Sequence, residues 1–114
     1  MTPHPLVELL KEKGVCRRAA LVEEGAECSL VACVADNYTI LLAAVSLPET
    51  RYVKAVPEDC IPPDMWACNT LFYTPYGLYA YGDTWEVVVE KLRSKLRRLD
   101  LQLRECRERM QVAK

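Results

Sequence analysis

The chain opens on a stretch whose apolar positions follow a helical period. In residues 5–13, Leu6, Leu9 and Leu10 share one helical face, and charged residues occupy the opposite face. A proline suits the first position of a helix, and Gly14 supplies a stop. The pattern therefore predicts a short amphipathic helix that packs on another element.

From residue 15 onward the pattern becomes typical of β-strands. The segment 38–46 is apolar almost throughout, which predicts a central strand covered on both faces. Residues 74–77, with proline second and glycine fourth, predict a hairpin turn between the segments that flank them. Asp36 and Asn37 predict another such turn. The segments of strand character are 15–22, 27–35, 38–46, 51–56, 69–74 and 78–81. They predict a mainly antiparallel sheet of about five strands.

The last segment has the pattern of one long helix. Asp83 and Glu86 have the spacing of a capping box, and no proline or glycine follows Gly82. Apolar residues then recur at alternating spacings of four and three: Trp85, Val89, Leu92, Leu96, Leu99, Leu103, Cys106 and Met110. This is the a/d pattern of a coiled coil, maintained over four heptads.

Two interpretations of this heptad seam stay open. The helix pairs with a helix of another chain, most economically a second copy, or it lies on its own sheet. A helix over residues 84–112 is about 43 Å long, whereas a compact head of 83 residues is roughly 30 Å across. We therefore expect Leu99 and Leu103 to be bare in a monomer, which favours self-association as a homodimer or higher oligomer.

Taken together, these patterns predict an α+β fold. It consists of a short N-terminal helix, an antiparallel sheet of about five strands and a long C-terminal heptad helix. Residues 1–83 form a strand-rich head and residues 84–114 a coiled-coil-like helix, within one structural domain.

The net charge of −1 hides an asymmetry, because the head carries −5 and the helix +4. Either these are two solvated surfaces, or the helix meets a polyanion or an acidic protein.

The six cysteines bear on both metal binding and compartment. No C-x₂-C pair occurs, and His4 is the only histidine, so we expect no metal and no cofactor. The N-terminus shows no secretory signal, which predicts a cytoplasmic protein, and the cysteines of a cytosolic chain are normally reduced and buried. Few Asn and Gln beside many Arg and Glu favour a hyperthermophile, or a virus of one, as the source. Intracellular proteins of such organisms are disulfide-rich, so at least one disulfide within the head is expected.

Aromatic residues are concentrated near the predicted hairpin. Seven of the nine lie between residues 66 and 85. They either fill the core and pack across strands, or some reach solvent and bind a partner protein or nucleic-acid bases. The candidate partner surface comprises Trp66, Tyr73, Tyr76, Tyr79 and Tyr81.

The basic residues of the last helix offer a second candidate surface. Arg93, Arg97, Arg104 and Arg107 are spaced by four, seven and three, which places them on one helical stripe. They are candidate nucleic-acid contacts, although the interspersed glutamates favour a solvated coiled-coil flank. Nothing has the spacing of a catalytic dyad or triad, since the one histidine is near the terminus, so no enzyme is predicted. The longest apolar run, residues 40–45, is too short for a bilayer, which needs about 20 residues.

Residues 5–13, then Gly25 to Asp36, and Leu41 with Leu42 after them, form a stretch of about 45 residues. It resembles the N-terminal helix and first motif of Sm-like RNA-binding proteins. The family's mid-strand glycine is Leu30 here, and its asparagine is Ile40. No Arg-Gly-Asn-type second motif follows, since residues 51–56 read RYVKAV. The resemblance implies nucleic-acid binding without the usual base-binding pocket.

The sequence thus predicts a non-enzymatic assembly or adaptor protein. It self-associates through the helix and binds another protein, in the manner of a small viral accessory or structural protein of a thermophile. The alternative is a nucleic-acid-binding protein that uses the basic helix and the tyrosine-rich hairpin.

Overall fold

The computed structural model describes residues 5–36 and 38–112, with side chains up to Arg109. His4, Asn37 of the predicted turn and the side chain of Met110 lie outside the described part. Two short 3₁₀ turns, Glu58–Cys60 and Pro63–Met65, follow the fourth strand. The other elements, in chain order, are α1 Pro5–Glu12, β1 Arg18–Glu23, β2 Cys28–Val34, β3 Thr39–Ser46, β4 Arg51–Pro57, α2 Cys68–Tyr73, β5 Leu78–Gly82, α3 Trp85–Ser94 and α4 Leu96–Val112.

The five strands form one antiparallel meander in the order β1-β2-β3-β4-β5. Each strand pairs with its neighbour in the sequence, as short connections favour. Strand β3 is central, and every residue from Ile40 to Val45 is buried. The predicted α+β fold, with its N-terminal helix and five-stranded antiparallel sheet, is confirmed.

Both faces of the sheet are covered, because successive side chains of a strand point to opposite faces. On the first face, Val31, Leu42 and Val53 pack in one core with the inner sides of α1 and α3. On the second face, Leu41 and Val56 pack in another core with residues of α2 and the 3₁₀ turns. This two-sided burial explains the continuous apolar run of β3.

The segment 69–74, predicted as a strand, is a helix. Cys68 and Leu71, one helical turn apart, are both buried on the second face. The buried side chain of Lys54 on β4 donates from Nζ to the carbonyl oxygen of Thr74 at 2.7 Å, just beyond the helix. A cation at this end of a helix stabilises its free carbonyl groups. The strand prediction was wrong because side-chain composition was overridden by these tertiary contacts.

The C-terminal segment is two helices instead of one. Helix α3 ends at Ser94, and α4 begins at Leu96. At the junction the N–H of Lys95 bonds to the carbonyl of Leu92 at 3.0 Å, so the backbone tightens locally to 3₁₀-type bonds. The predicted cap was also wrong by one residue, since the Thr84 hydroxyl accepts from the N–H of Val87 at 3.3 Å.

Most of the heptad seam is buried within the single chain. Leu99 is fully buried and Leu103 is 5% exposed within the single chain. The expectation that these leucines are bare in a monomer is therefore wrong, because Leu99 packs in the first core and α4 lies against β4 and the turn that follows it. Of the other seam residues, Val89, Leu92 and Cys106 are buried, and Trp85 and Leu96 pack partly buried against the first core.

All six cysteines form disulfides, and all six lie in the described residues. Cys16 bonds to Cys33, Cys28 to Cys68, and Cys60 to Cys106, with Cα–Cα distances of 5.4, 6.0 and 5.2 Å. Disulfides form and persist in oxidising environments. The cytoplasmic prediction was therefore wrong, and the three disulfides point to an oxidising, extracellular or secreted setting. Within the described ranges, no helix is both long enough and apolar enough to cross a membrane.

Candidate interaction surface

The register between β4 and β5 places aromatic rings side by side on the second face. Tyr52 lies opposite Tyr81, and their ring centroids are 5.3 Å apart. Tyr79, two residues before Tyr81, contacts both rings at 5.8 and 6.3 Å. Phe72 approaches from α2, 6.0 Å from Tyr52 and 6.5 Å from Tyr79. We call these four residues the aromatic surface.

The aromatic surface is only partly covered. Tyr81 is 50% exposed, and the other three rings are half-buried. Tyr73 follows Phe72 on α2 and is 87% exposed. Apolar residues exposed singly are ordinary on a protein surface. Several accessible rings in one place are instead typical of an interaction site.

A buried lysine lies beneath these rings. Lys54 is 5% exposed, and its Nζ is 5.5 Å from the centroid of the Tyr79 ring. Burial lowers the pKa of Lys54, because it disfavours the charged ammonium group. Burial also raises the pKa of Tyr79, with a further contribution from the neighbouring Tyr81 and Tyr52. The Tyr79 hydroxyl thus stays protonated at neutral pH and can donate a hydrogen bond.

The five residues predicted as a partner surface do not form one group, and Tyr73 is the exposed neighbour of Phe72 on α2. Tyr79 and Tyr81 are in the aromatic surface. Trp66 instead lines a depression of about 420 Å³ together with Pro62 and Pro63, and its Nε1 donates to the carbonyl of Ile61 at 3.2 Å.

Tyr76 is also outside the aromatic surface, in a contact with α4. Its hydroxyl accepts from the guanidinium of Arg109, whose central carbon lies 5.4 Å from the ring centroid. This geometry combines a hydrogen bond with a cation–π contact. Tyr76 therefore helps to hold α4 in place.

Sequence reasoning missed Tyr52 and Phe72. Both became neighbours of Tyr79 only through the pairing of β4 with β5 and the docking of α2. A usable signal was present: Tyr52 and Lys54 alternate along their segment as Tyr79 and Tyr81 do along theirs. The two segments pair directly although a helix separates them in the sequence. Had this pairing been recognised, these residues would have been placed side by side.

The four predicted arginines do not form one stripe. The break at Lys95 separates Arg93 from the three on α4. Arg107 forms an ion pair with Asp59, with 2.6 Å between Nε and Oδ2. Arg93, Arg97 and Arg104 are exposed. The basic side of α4 is thus partly engaged within the chain.

A smaller polar depression of about 270 Å³ lies between the β2–β3 connection and the start of α4. Tyr38 and Asp100 both line this depression. Burial raises the pKa of Tyr38, and interaction with the carboxylates of Asp100 and Asp36 raises it further. Among the described residues, no three Cys, His, Asp or Glu side chains are grouped to hold a metal ion.

No protein-family model, curated protein or solved structure matches this chain. The Sm-like resemblance therefore stays a prediction.

Proposed function

We propose that this protein is a non-enzymatic protein-binding module of an oxidising compartment, and that its partner docks on the aromatic surface. The single observation that carries the proposal is the contact group of four rings on an accessible sheet face. Tyrosine is enriched among the residues that dominate binding energy, since it offers a large apolar area together with a hydroxyl group.

Rigidity supports the same proposal. Tyr52, Tyr79 and Tyr81 stand on paired strands, and Phe72 is on a helix joined to β2 by the Cys28–Cys68 disulfide. Rings held by a cross-linked scaffold lose little conformational entropy when a partner binds. The aromatic surface is therefore suited to rigid docking.

The sequence predicted self-association through the heptad seam, and we do not retain that surface in the proposal. The seam residues Val89, Leu92 and Leu99 are buried in the chain's own core. In this conformation they are not available to another helix, so we assign partner binding to the sheet. Nucleic-acid binding by Arg93, Arg97 and Arg104 remains the alternative, with one fewer free arginine than the sequence suggested.

Binding to a displayed random-peptide library tests the proposal. We expect peptides selected on the native protein to bind the Tyr81→Ser variant at least about thirtyfold more weakly, since one hot-spot residue contributes 2 kcal/mol or more. Leu101→Ser is the matched control, because Leu101 is 55% exposed on the outer side of α4.

Two results would contradict the proposal. One is a selection that yields no peptide above background, or peptides equally sensitive to the Leu101 change. The other is binding of a single-stranded oligonucleotide at physiological salt that is lost on Arg97→Glu or Arg104→Glu, which would favour the alternative.

A further inference from the structure

The two edges of the sheet differ in how their backbone groups are engaged. At the β5 edge, the side-chain amide of Gln102 bonds to both backbone groups of Gly77: Oε1 accepts from the N–H at 2.6 Å, and Nε2 donates to the carbonyl at 3.2 Å. A neighbouring antiparallel strand would make the same pair of bonds. Lys95 Nζ donates to the Tyr79 carbonyl at 2.8 Å. This edge is thus occupied by side chains from the α3–α4 junction and α4.

The β1 edge has no such cover. Among the described residues, no side chain bonds to the backbone of Arg18–Glu23. Every residue of β1 is exposed or half-buried, and Val22 is 54% exposed. An uncovered edge strand presents a row of N–H and C=O groups ready to pair with another strand.

The side chains around β1 favour one occupant. A depression of about 410 Å³ at its start is lined by Lys11, Arg18 and small apolar residues of β1 and β2. The strand ends at Glu23, followed by Glu24. Neither Arg18 nor Glu23 has an ion-pair partner among the described residues.

We propose that β1 pairs antiparallel with β1 of a second copy, which joins two sheets into one of ten strands. An antiparallel arrangement about a twofold axis brings the acidic end of each strand to Lys11 and Arg18 of the other copy. A parallel arrangement would place like charges together, which is unfavourable. The bulge between Leu21 and Glu23 confines regular pairing to the first four residues.

Sedimentation over a concentration series, combined with amide hydrogen exchange, tests this pairing. We expect a dimer at about 100 µM, with exchange at residues 18–21 slowed as the concentration rises. Arg18→Glu should weaken the dimer about tenfold, since it replaces two attractive contacts by repulsive ones. Adding Glu23→Arg and Glu24→Arg should restore it. Arg104→Glu, an equal charge change on the exposed side of α4, is the control.

The pairing is overturned by a protein that is monomeric at this concentration. It is also overturned by a dimer unaffected by Arg18→Glu, or by failure of the triple charge exchange to restore association. A dimer lost on Tyr81→Ser would instead place the second copy on the aromatic surface. These outcomes do not depend on peptide binding, so each proposal can fail alone.

Discussion

The disulfide between Cys60 and Cys106 attaches α4 to the turn that follows β4. We expect replacement of both cysteines by alanine to lower the free energy of unfolding by about 4 kcal/mol. The bond closes a loop with a sequence separation of 46. Its loss frees the unfolded chain to explore many more conformations, and the loop-closure entropy for this length gives that magnitude at 25 °C. Alanine is preferred to serine because Cys106 is buried.

The effect is large relative to the whole stability. A chain of 114 residues has a free energy of unfolding of roughly 6–17 kcal/mol. Its entropy of unfolding is about 0.24 kcal/mol/K. A loss of about 4 kcal/mol therefore lowers Tm by about 17 °C.

Thermal unfolding followed by circular dichroism measures the shift, with Glu105→Ala beside Cys106 as the control. Amide exchange should also accelerate in α4 before the rest of the molecule, because its covalent attachment is gone. A Tm within about 3 °C of the parent would refute the reasoning. So would titration of six free thiols in the native protein, which would mean that the disulfides do not form.

Three further outcomes follow from the packing. In a denaturant titration, Leu99→Ala should lower the free energy of unfolding by about 2–5 kcal/mol. Leu101→Ala should change it by no more than about 0.5 kcal/mol. Equal costs would contradict the burial of the seam. Tyr38→Phe should lower the free energy of unfolding by about 1–2 kcal/mol at pH 7, because it removes the interaction of the hydroxyl with Asp100. Because the pKa of Tyr38 is raised in the folded state, this deficit should shrink in unfolding titrations above about pH 10; a constant deficit would contradict it. Gly77→Ala should destabilise by about 1–3 kcal/mol, since φ is +101° and a Cβ would lie 2.7 Å from a carbonyl oxygen; an unchanged denaturation midpoint would contradict this.

Local patterns were sufficient for most of the sheet. The run from Ile40 to Val45 predicted a central strand, and its burial on both faces confirms it. Leu6 and Leu10 predicted the buried side of α1 in the same way. In each case the spacing of the apolar residues matches the periodicity of the helix or strand in which they are buried.

The remaining features depend on contacts distant in sequence. No glycine or proline marks the break at Lys95, where the side chain instead reaches the carbonyl of Tyr79 on β5. A spacing of four and three fits a coiled coil and a helix packed on its own sheet equally well. The helical state of Cys68–Tyr73 likewise depends on Cys28 and Lys54, which precede it by 40 and 14 positions.

The aromatic surface shows the same limit. Tyr79 and Tyr81 were identifiable because they alternate on one strand. Tyr52 and Phe72 join them only after β4 has paired with β5 across α2. A single sequence contains the residues of such a site but not which segments are neighbours.

The three disulfides overlap along the chain, and this has a consequence for proteolysis. The loop from Cys28 to Cys68 begins before the Cys16–Cys33 loop ends, and the Cys60–Cys106 loop begins before the second one ends. Every peptide bond between Cys16 and Cys106 therefore lies inside at least one covalent loop. A protease that cuts once anywhere in this span leaves a single molecule, heavier by one water, that separates into two fragments only after reduction. A single cut by an extracellular protease within this span thus releases no fragment, because the disulfides hold the two parts together.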